Sequence, residues 1–260
     1  FFPHPRMVLQ KDTDIKLINT LEEKQQLLEK FDLDNFIVIP FTKDFSRLTS
    51  TEFIREILIN GLNTKKLVIG YDHHFGRNRE GNFEHLKECE SLYDFEVEEI
   101  HAQDINDVTV SSTKIRKALK NGDILTANKY LGYHFMLTGM VVEGKKLGHT
   151  INYPTANIHI EEEYKIIPCN GSYVVNSAIN DQLVYGMMNV GYNPTVNGKN
   201  KTIEVHFFDF NQNIYNQKIQ INLLKRLREE QKFDSIEALK KQLEKDKKSS
   251  LDYIKELIHE

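Results

Sequence analysis

The sequence predicts two domains of different class. An α/β domain on a Rossmann-type parallel sheet comes first, then an antiparallel β-barrel with a C-terminal helix. Three observations predict this. Up to about Gly132, short apolar runs alternate with stretches of helical period, as in a parallel sheet with crossover helices. After Tyr133 the rhythm changes to five strand-like runs with no long helix between them. From Asp234 the apolar residues return to helical spacing. A chain of 260 residues has room for two modest cores.

Taken in order, Phe1-Phe2-Pro3-His4-Pro5 reads as the end of a buried strand, with its preceding segment upstream of this sequence, running into a loop. Thr20 and Glu23 make a capping box, and Leu21, Leu27, Leu28 and Phe31 give the next helix an apolar side. Phe36 to Ile39 is a continuously apolar strand of the kind buried on both faces. Phe53, Ile54, Ile57 and Leu58 lie at helical spacing, with Gly61 as the stop. Leu67-Val68-Ile69 is another buried strand, ending at Gly70. Leu86, Cys89 and Leu92 or Tyr93 mark a third helix, and Phe95 to Ile100 a strand. Thr113 to Lys120 is a short helix closed by Gly122, and Asp123 caps one more that ends at Gly132. A boundary near Leu131 to His134 gives domains 1–132 and 133–260. Beyond it, strands are expected over 135–142, 171–179, 183–190, 202–210 and 218–223. The tail helix has Asp234 and Glu237 as capping pair, a buried side of Ile236, Leu239, Leu243, Leu251, Ile254 and Ile258, and a break near Lys247 to Ser250.

Composition narrows the function. A hydrophobic content of 40% and a charged content of 28% are ordinary for a soluble globular protein. A net charge of −4 leaves no nucleic-acid footprint, and the short basic cluster Lys225, Arg226, Arg228 is offset by Glu229 and Glu230. No apolar run approaches membrane-spanning length. Two cysteines, Cys89 and Cys169, fit neither a disulfide framework nor a metal site and point to a reducing, cytoplasmic compartment.

Four stretches carry chemistry. Gly139 to Asn157 opens like a strand, then crosses a loop with Gly144 and Gly148 at its ends and Lys145 and Lys146 inside. Such a loop lets backbone N–H groups approach phosphate oxygens closely. Thr155 and Asn157, two apart in an extended segment, point to the same side. Taken alone, a strand–turn–strand unit is the commoner reading. Glu204 alternates with Ile203 and Val205, so it faces away from them; on pattern alone it is a solvated strand carboxylate. Ser111-Ser112-Thr113 opens a helix, where free N–H groups make an anion site or plain caps, and Arg116 lies one turn on. The loop Gly70 to Arg77 directly follows a strand. Its His73 and His74 point apart, with no third ligand evident, so a metal pair is rejected.

The whole phrase GMVVEGKKLGHTINYPTAN at 139–157, with NVGYNPT at 189–195 and IEVHFFDF at 203–210, resembles the riboflavin kinase family. It is most similar to the bacterial bifunctional branch, which phosphorylates riboflavin and then adenylylates FMN, and the resemblance covers nearly the whole chain. It implies a nucleotidyltransferase-like first domain and a riboflavin kinase barrel. It implies ATP as co-substrate, Mg2+ as metal, and riboflavin, FMN and FAD as substrate and products. By resemblance Glu204 is the catalytic base for the ribityl 5′-hydroxyl. Gly144, Lys145, Gly148, Thr155, Asn157 and Asn189 hold the ATP phosphates, with Thr155 and Asn157 as metal ligands. Asn189 and Gly191 match an NxG turn near the nucleotide, and Arg228, with Phe233 beyond, matches a flap over the flavin. His206 and Asp209 read as structural, tying strand to turn.

In the first half, Ser111 to Arg116 resembles the second signature of the nucleotidyltransferase superfamily. The implied adenylyltransferase site is His4, Asp72, Phe75, Gly76, Ser111, Ser112, Thr113 and Arg116. The family's first signature, His-x-Gly-His, does not occur in these 260 residues and is expected upstream of Phe1. The chain departs from the family at His73, usually aromatic, at Asn152, commonly glycine, and at Asn193, commonly arginine. Two other readings stand beside the bifunctional enzyme: a kinase on an inactive scaffold, and a non-catalytic flavin- or nucleotide-binding protein. The expected partners are small molecules, with no nucleic acid and no membrane.

Overall fold

The computed structural model describes residues 1–11, 13–101, 104–105, 108–144, 148, 151–195 and 198–259. The first half holds α1 (Pro5–Leu9), α2 (Leu21–Glu29), α3 (Ser50–Glu52), β1 (Lys66–Gly70), α4 (Phe83–Tyr93), β2 (Glu96–Ile100), β3 (Asp104–Ile105), β4 (Val108–Thr109), α5 (Ser112–Asn121) and α6 (Ile124–Leu131). A π-helix, Phe53–Gly61, continues α3. The second half holds β5 (Met136–Val142), β6 (Ala156–His159), β7 (Gly171–Ile179), β8 (Gln182–Thr195), β9 (Gly198–Phe207), β10 (Lys218–Arg228) and α7 (Ile236–His259). These elements form two compact units: Phe1–Ile15 with Leu33–Val110, and Lys16–Asp32 with Ser111–Glu260.

In the first unit β1 and β2 pair in parallel from Lys66 opposite Glu96 to Gly70 opposite Ile100. Ile54, Leu58, Ile69, Phe75, Leu86, Cys89, Phe95 and Val97 make its core. Leu86 and Cys89 are one turn apart on α4, and Tyr93, not Leu92, completes that face. Three sequence expectations fail here. No strand forms over Phe36–Ile39, where Ile37 is 55% exposed; the pairing is a single parallel bridge, Phe2 with Pro40. An apolar run becomes a buried strand only where neighbours take up its N–H and C=O groups. Val68 of β1 is also 46% exposed, so the sheet is not covered on both faces. Pro5, read as loop, instead opens α1, with His4 as its N-cap.

The second unit is a closed barrel in the order β10-β5-β6-β9-β8-β7, with every pairing antiparallel. Its interior is filled by Leu137, Val141, Tyr173, Val175, Met188, Val190, Val205, Ile221 and Leu223, each nearly inaccessible. On the outer face, Val174, Met187, Phe208 and Leu224 pack against Ile254, Leu243 and Leu251 of α7. The tail helix runs unbroken through Lys247–Ser250. Its cap is Ser235, whose Oγ accepts from Ala238 N at 3.1 Å, in place of Asp234. Ile236 and Ile258 stay exposed.

The capping box of Thr20 and Glu23 forms as expected, but α2 belongs to the barrel unit. The Glu23 carboxylate is fully buried there. It accepts from Thr20 N and Thr138 N, each at 3.0 Å, and from Lys165 Nζ at 2.5 Å. Lys165 also donates to Ile18 O at 2.6 Å and lies 4.6 Å over the Phe135 ring. Burial pulls its ammonium down to about 8 against the opposing pull of Glu23.

Candidate active site

One line of opposed residues crosses the barrel: Val142, Asn157, Glu204, Asn189, Ser172 and Arg228, each directly beside the next. Opposed residues of antiparallel strands project to the same face. Glu204 therefore shares the outer face with Asn157, Asn189 and Arg228, while Ile203 and Val205 point inward at 5% and 0% exposure. Two residues along, the parallel line Val174, Met187, His206 lies beneath α7. The polar line runs beside the apolar one covered by the helix.

Thr155 joins this line just before β6. Its Oγ1 donates to Glu204 Oε2 at 3.3 Å. Gly144 abuts Asn157 so closely that a Cβ there would overlap the Asn157 amide, which explains the glycine without any special backbone angle. Gly148 O accepts from Ile151 N at 3.2 Å and from Tyr153 N at 2.9 Å, which ties Gly148 to the segment before Pro154. Lys145 and Lys146 lie outside the described residues. His206, 9% exposed, has Nδ1 at 2.8 Å from Pro154 O. Burial pushes its imidazole below the ordinary histidine range.

A cleft of about 390 Å3 adjoins Thr155, bounded by Val141, Val205, Phe207, Phe210, Ile214 and Tyr215 among others. The sequence reading missed this cleft. Its signal was the aromatic and amide run Phe210 to Tyr215 between two strands.

Two expectations change. Asn189 and Gly191 are not a turn but lie within β8, Asn189 paired on both sides and Gly191 with Thr202 of β9, and Tyr192 N donates to Glu230 Oε1 at 3.1 Å. Arg228 already has a partner: its Nε is 3.0 Å from both Asp246 oxygens and its Nη2 is 2.7 Å from Oδ2. The guanidinium lies 5.7 Å from the Phe233 ring centre. Gln242 and Ser250 hold Asp246 from within α7. Asp246→Asn weakens this bidentate clasp and is expected to cost about 1.5–3 kcal/mol of stability. Denaturant unfolding of the pair of proteins measures it.

The first-half candidates fall in both units. In the first unit, His4 Nδ1 accepts from Arg6 N at 3.2 Å, and Asp72 is exposed in a turn. Phe75 is a core residue at 7% exposure, packed on Phe53 at 5.4 Å. Gly76 has φ 73°, and a Cβ would come within 2.6 Å of Ser50 N. In the second unit, Ser111 caps α5 by accepting from Lys114 N at 3.4 Å, and Ser112 and Thr113 are exposed beside it. Arg116 Nε donates to Lys16 O at 2.8 Å.

Residues 131–254 match the riboflavin kinase family model, and residues 1–114 match that of FAD synthetase. The barrel is thus of the riboflavin kinase class, on a chain whose first part is of the FAD synthetase class. The chain is 37% identical over 268 residues to the bifunctional riboflavin kinase/FMN adenylyltransferase of Bacillus subtilis, covering 99% of this chain and 82% of that protein. It is 39% identical over 227 residues to that of Haemophilus influenzae, covering 87% of this chain and 73% of that one. A crystal structure described as a macrolide-efflux protein from Streptococcus pneumoniae matches with a TM-score of 0.85 at 33% identity, over 95% of this chain and 80% of that one. The chain belongs to the bifunctional riboflavin kinase/FMN adenylyltransferase family. Among the described residues no helix is long and apolar enough to cross a membrane.

Proposed function

We propose that this chain makes FAD in two steps, phosphorylating riboflavin to FMN in the barrel and then adenylylating FMN. The Thr155–Glu204 hydrogen bond within the line Asn157, Glu204, Asn189 supports the kinase reading best, because the Glu204 carboxylate then neighbours the Thr155 hydroxyl and the Asn157 amide. Glu204 takes the proton of the ribityl 5′-hydroxyl. That oxygen attacks the γ-phosphorus of ATP, the bond to the β-phosphate oxygen breaks, and ADP leaves. Thr155, Asn157 and the Gly144–Gly148 loop with Lys145 hold the phosphates, and Asn189 supports them. The apolar cleft beside Thr155 has room for the adenosine. Arg228, fixed by Asp246, faces the flavin side of the line.

Mg2+ fits the residues present. Thr155 and Asn157 offer neutral oxygens, which suit a hard cation that keeps waters and phosphates. The hydroxyl hydrogen of Thr155 is committed to Glu204, which leaves Oγ1 lone pairs for a cation. Bound with ATP, the ion would neutralise charge on the β- and γ-phosphates.

In the second step an FMN phosphate oxygen attacks the α-phosphorus of ATP and pyrophosphate leaves. For this step we assign His4, Asp72 and Gly76 of the first unit to adenylyl transfer, with Phe75 supporting them from the core, and Ser111, Ser112, Thr113 and Arg116 at the N-terminus of α5 in the second unit to phosphate binding. We assign the two activities to 1–132 and 133–260, in a cytoplasmic protein whose acidic balance suits flavins and ATP, not nucleic acid. The test is a time course with riboflavin, ATP and Mg2+, the flavins separated by chromatography. FMN followed by FAD is expected. FMN alone removes the adenylyl step, and no conversion removes both.

A further inference from the structure

We propose that His206 is a positioning residue of the kinase site, holding the Pro154–Thr155 peptide in place for Thr155. The inference rests on the kinase reading of that site and deepens it. Glu204 and His206 are two apart on β9 and so project to the same face. Both reach the same short segment: Glu204 accepts the Thr155 hydroxyl at 3.3 Å, and His206 Nδ1 lies 2.8 Å from Pro154 O. A carbonyl only accepts, so Nδ1 carries the proton and the tautomer is set. Pro154 O belongs to the same rigid peptide plane as Thr155 N, so fixing one fixes the orientation of the other.

The ring itself has little freedom. His206 is 9% exposed. Tyr153 and Phe208 meet it edge-on, with centroids at 5.1 and 5.9 Å. Both belong to the apolar cluster that includes Ile254, Leu243 and Leu251 of α7. Tyr153 N is tied in turn to Gly148 O at 2.9 Å. Gly148, Tyr153, His206 and α7 thus form one continuous set of contacts ending at Thr155. A strand-to-turn tie was legible in the sequence; that the turn is the one bearing Thr155 was not.

Three variants separate positioning from packing. His206→Asn puts a donor where Nδ1 was, because both nitrogens are one bond from Cγ. His206→Gln puts its donor near the Nε2 position, and His206→Phe keeps a ring but no donor. Riboflavin phosphorylation, binding of Mg-ADP by calorimetry and thermal unfolding are measured for each. The expected result is an Asn variant within about threefold of the parent in phosphorylation and in Mg-ADP binding, with a Tm no lower than that of the Gln variant. Gln and Phe should lose roughly 10–100-fold in kcat/KM for ATP, with the KM for riboflavin within twofold, since misplacement of about 1 Å can cost that much. Mg-ADP should bind those two about tenfold more weakly.

A Phe variant equal to the parent overturns the proposal, as does equal impairment of all three with a shared fall in Tm. So does an effect on riboflavin KM instead of ATP. A parent protein that forms no FMN removes the kinase reading instead. Mg-ADP binding then decides: selective weakening in Gln and Phe upholds the positioning role, and equal or absent binding overturns it.

Discussion

Glu204→Gln is expected to lower riboflavin phosphorylation by about 10²–10⁴-fold, the usual contribution of a general base. Gln keeps the side-chain length and an oxygen that can still accept from Thr155. What it removes is the capacity to take a proton. Binding of Mg-ADP should therefore change little, while kcat falls with little change in the KM for riboflavin or ATP. Glu204→Ala should do more, because the Thr155 hydroxyl then loses its acceptor as well. Single-turnover kinetics with parallel calorimetry measure both. A Gln variant with normal turnover takes Glu204 out of the reaction and leaves it as a strut for Thr155.

Lys165→Met should destabilise the barrel unit by about 3–5 kcal/mol, or roughly 6–20 °C in Tm. Neither side chain of the Lys165–Glu23 pair is exposed, so removing the ammonium leaves a buried carboxylate facing no cation. The Thr20 and Thr138 amides still bond Glu23, but they carry no full charge to balance it. Replacing both partners, with Glu23→Leu added, should recover part of the loss, which a double-mutant cycle resolves. The same pair leaves a proton signature. The folded lysine titrates at about 8, well below its ordinary value. At pH 9 the unfolded chain still holds that proton, since a free lysine releases it near 10.4. Unfolding there takes up a proton, so this group's contribution to stability rises with pH from about 8 to about 10.4. Calorimetry in buffers of different ionisation enthalpy should detect that uptake in the parent protein and not in Lys165→Met.

What the sequence revealed was what is local. The capping box at Thr20–Glu23, the strand over 171–179, the first half of β10 over 218–223, and the caps at Ser111, Gly122 and Gly132 all follow from neighbouring residues. The alternation around Glu204 correctly gave its face, and the Thr155–Asn157 spacing correctly gave a shared side. Other features needed partners far along the chain. The apolar run Phe36–Ile39 looked buried because its pattern cannot report whether a neighbouring strand is present. The break forecast at Lys247–Ser250 rested on local polarity, yet Asp246 and Ser250 are buried by what they touch on β10 and within α7. The Arg228–Asp246 clasp and the cleft at Phe210–Tyr215 likewise have no periodic signature.

The route of the chain bears on how it is made. Glu23 leaves the ribosome 142 residues ahead of Lys165, and Leu33–Val110, which forms the other compact unit together with Phe1–Ile15, emerges in between. At ordinary synthesis rates that interval lasts roughly 7–28 s. The nascent barrel segment must spend it with its carboxylate hydrated, while the intervening unit has time to fold. Completion of the barrel is therefore deferred until β10 has been translated, and a ribosome stalled after Val110 carries a finished first unit whose chain is interrupted by the waiting barrel segment Lys16–Asp32.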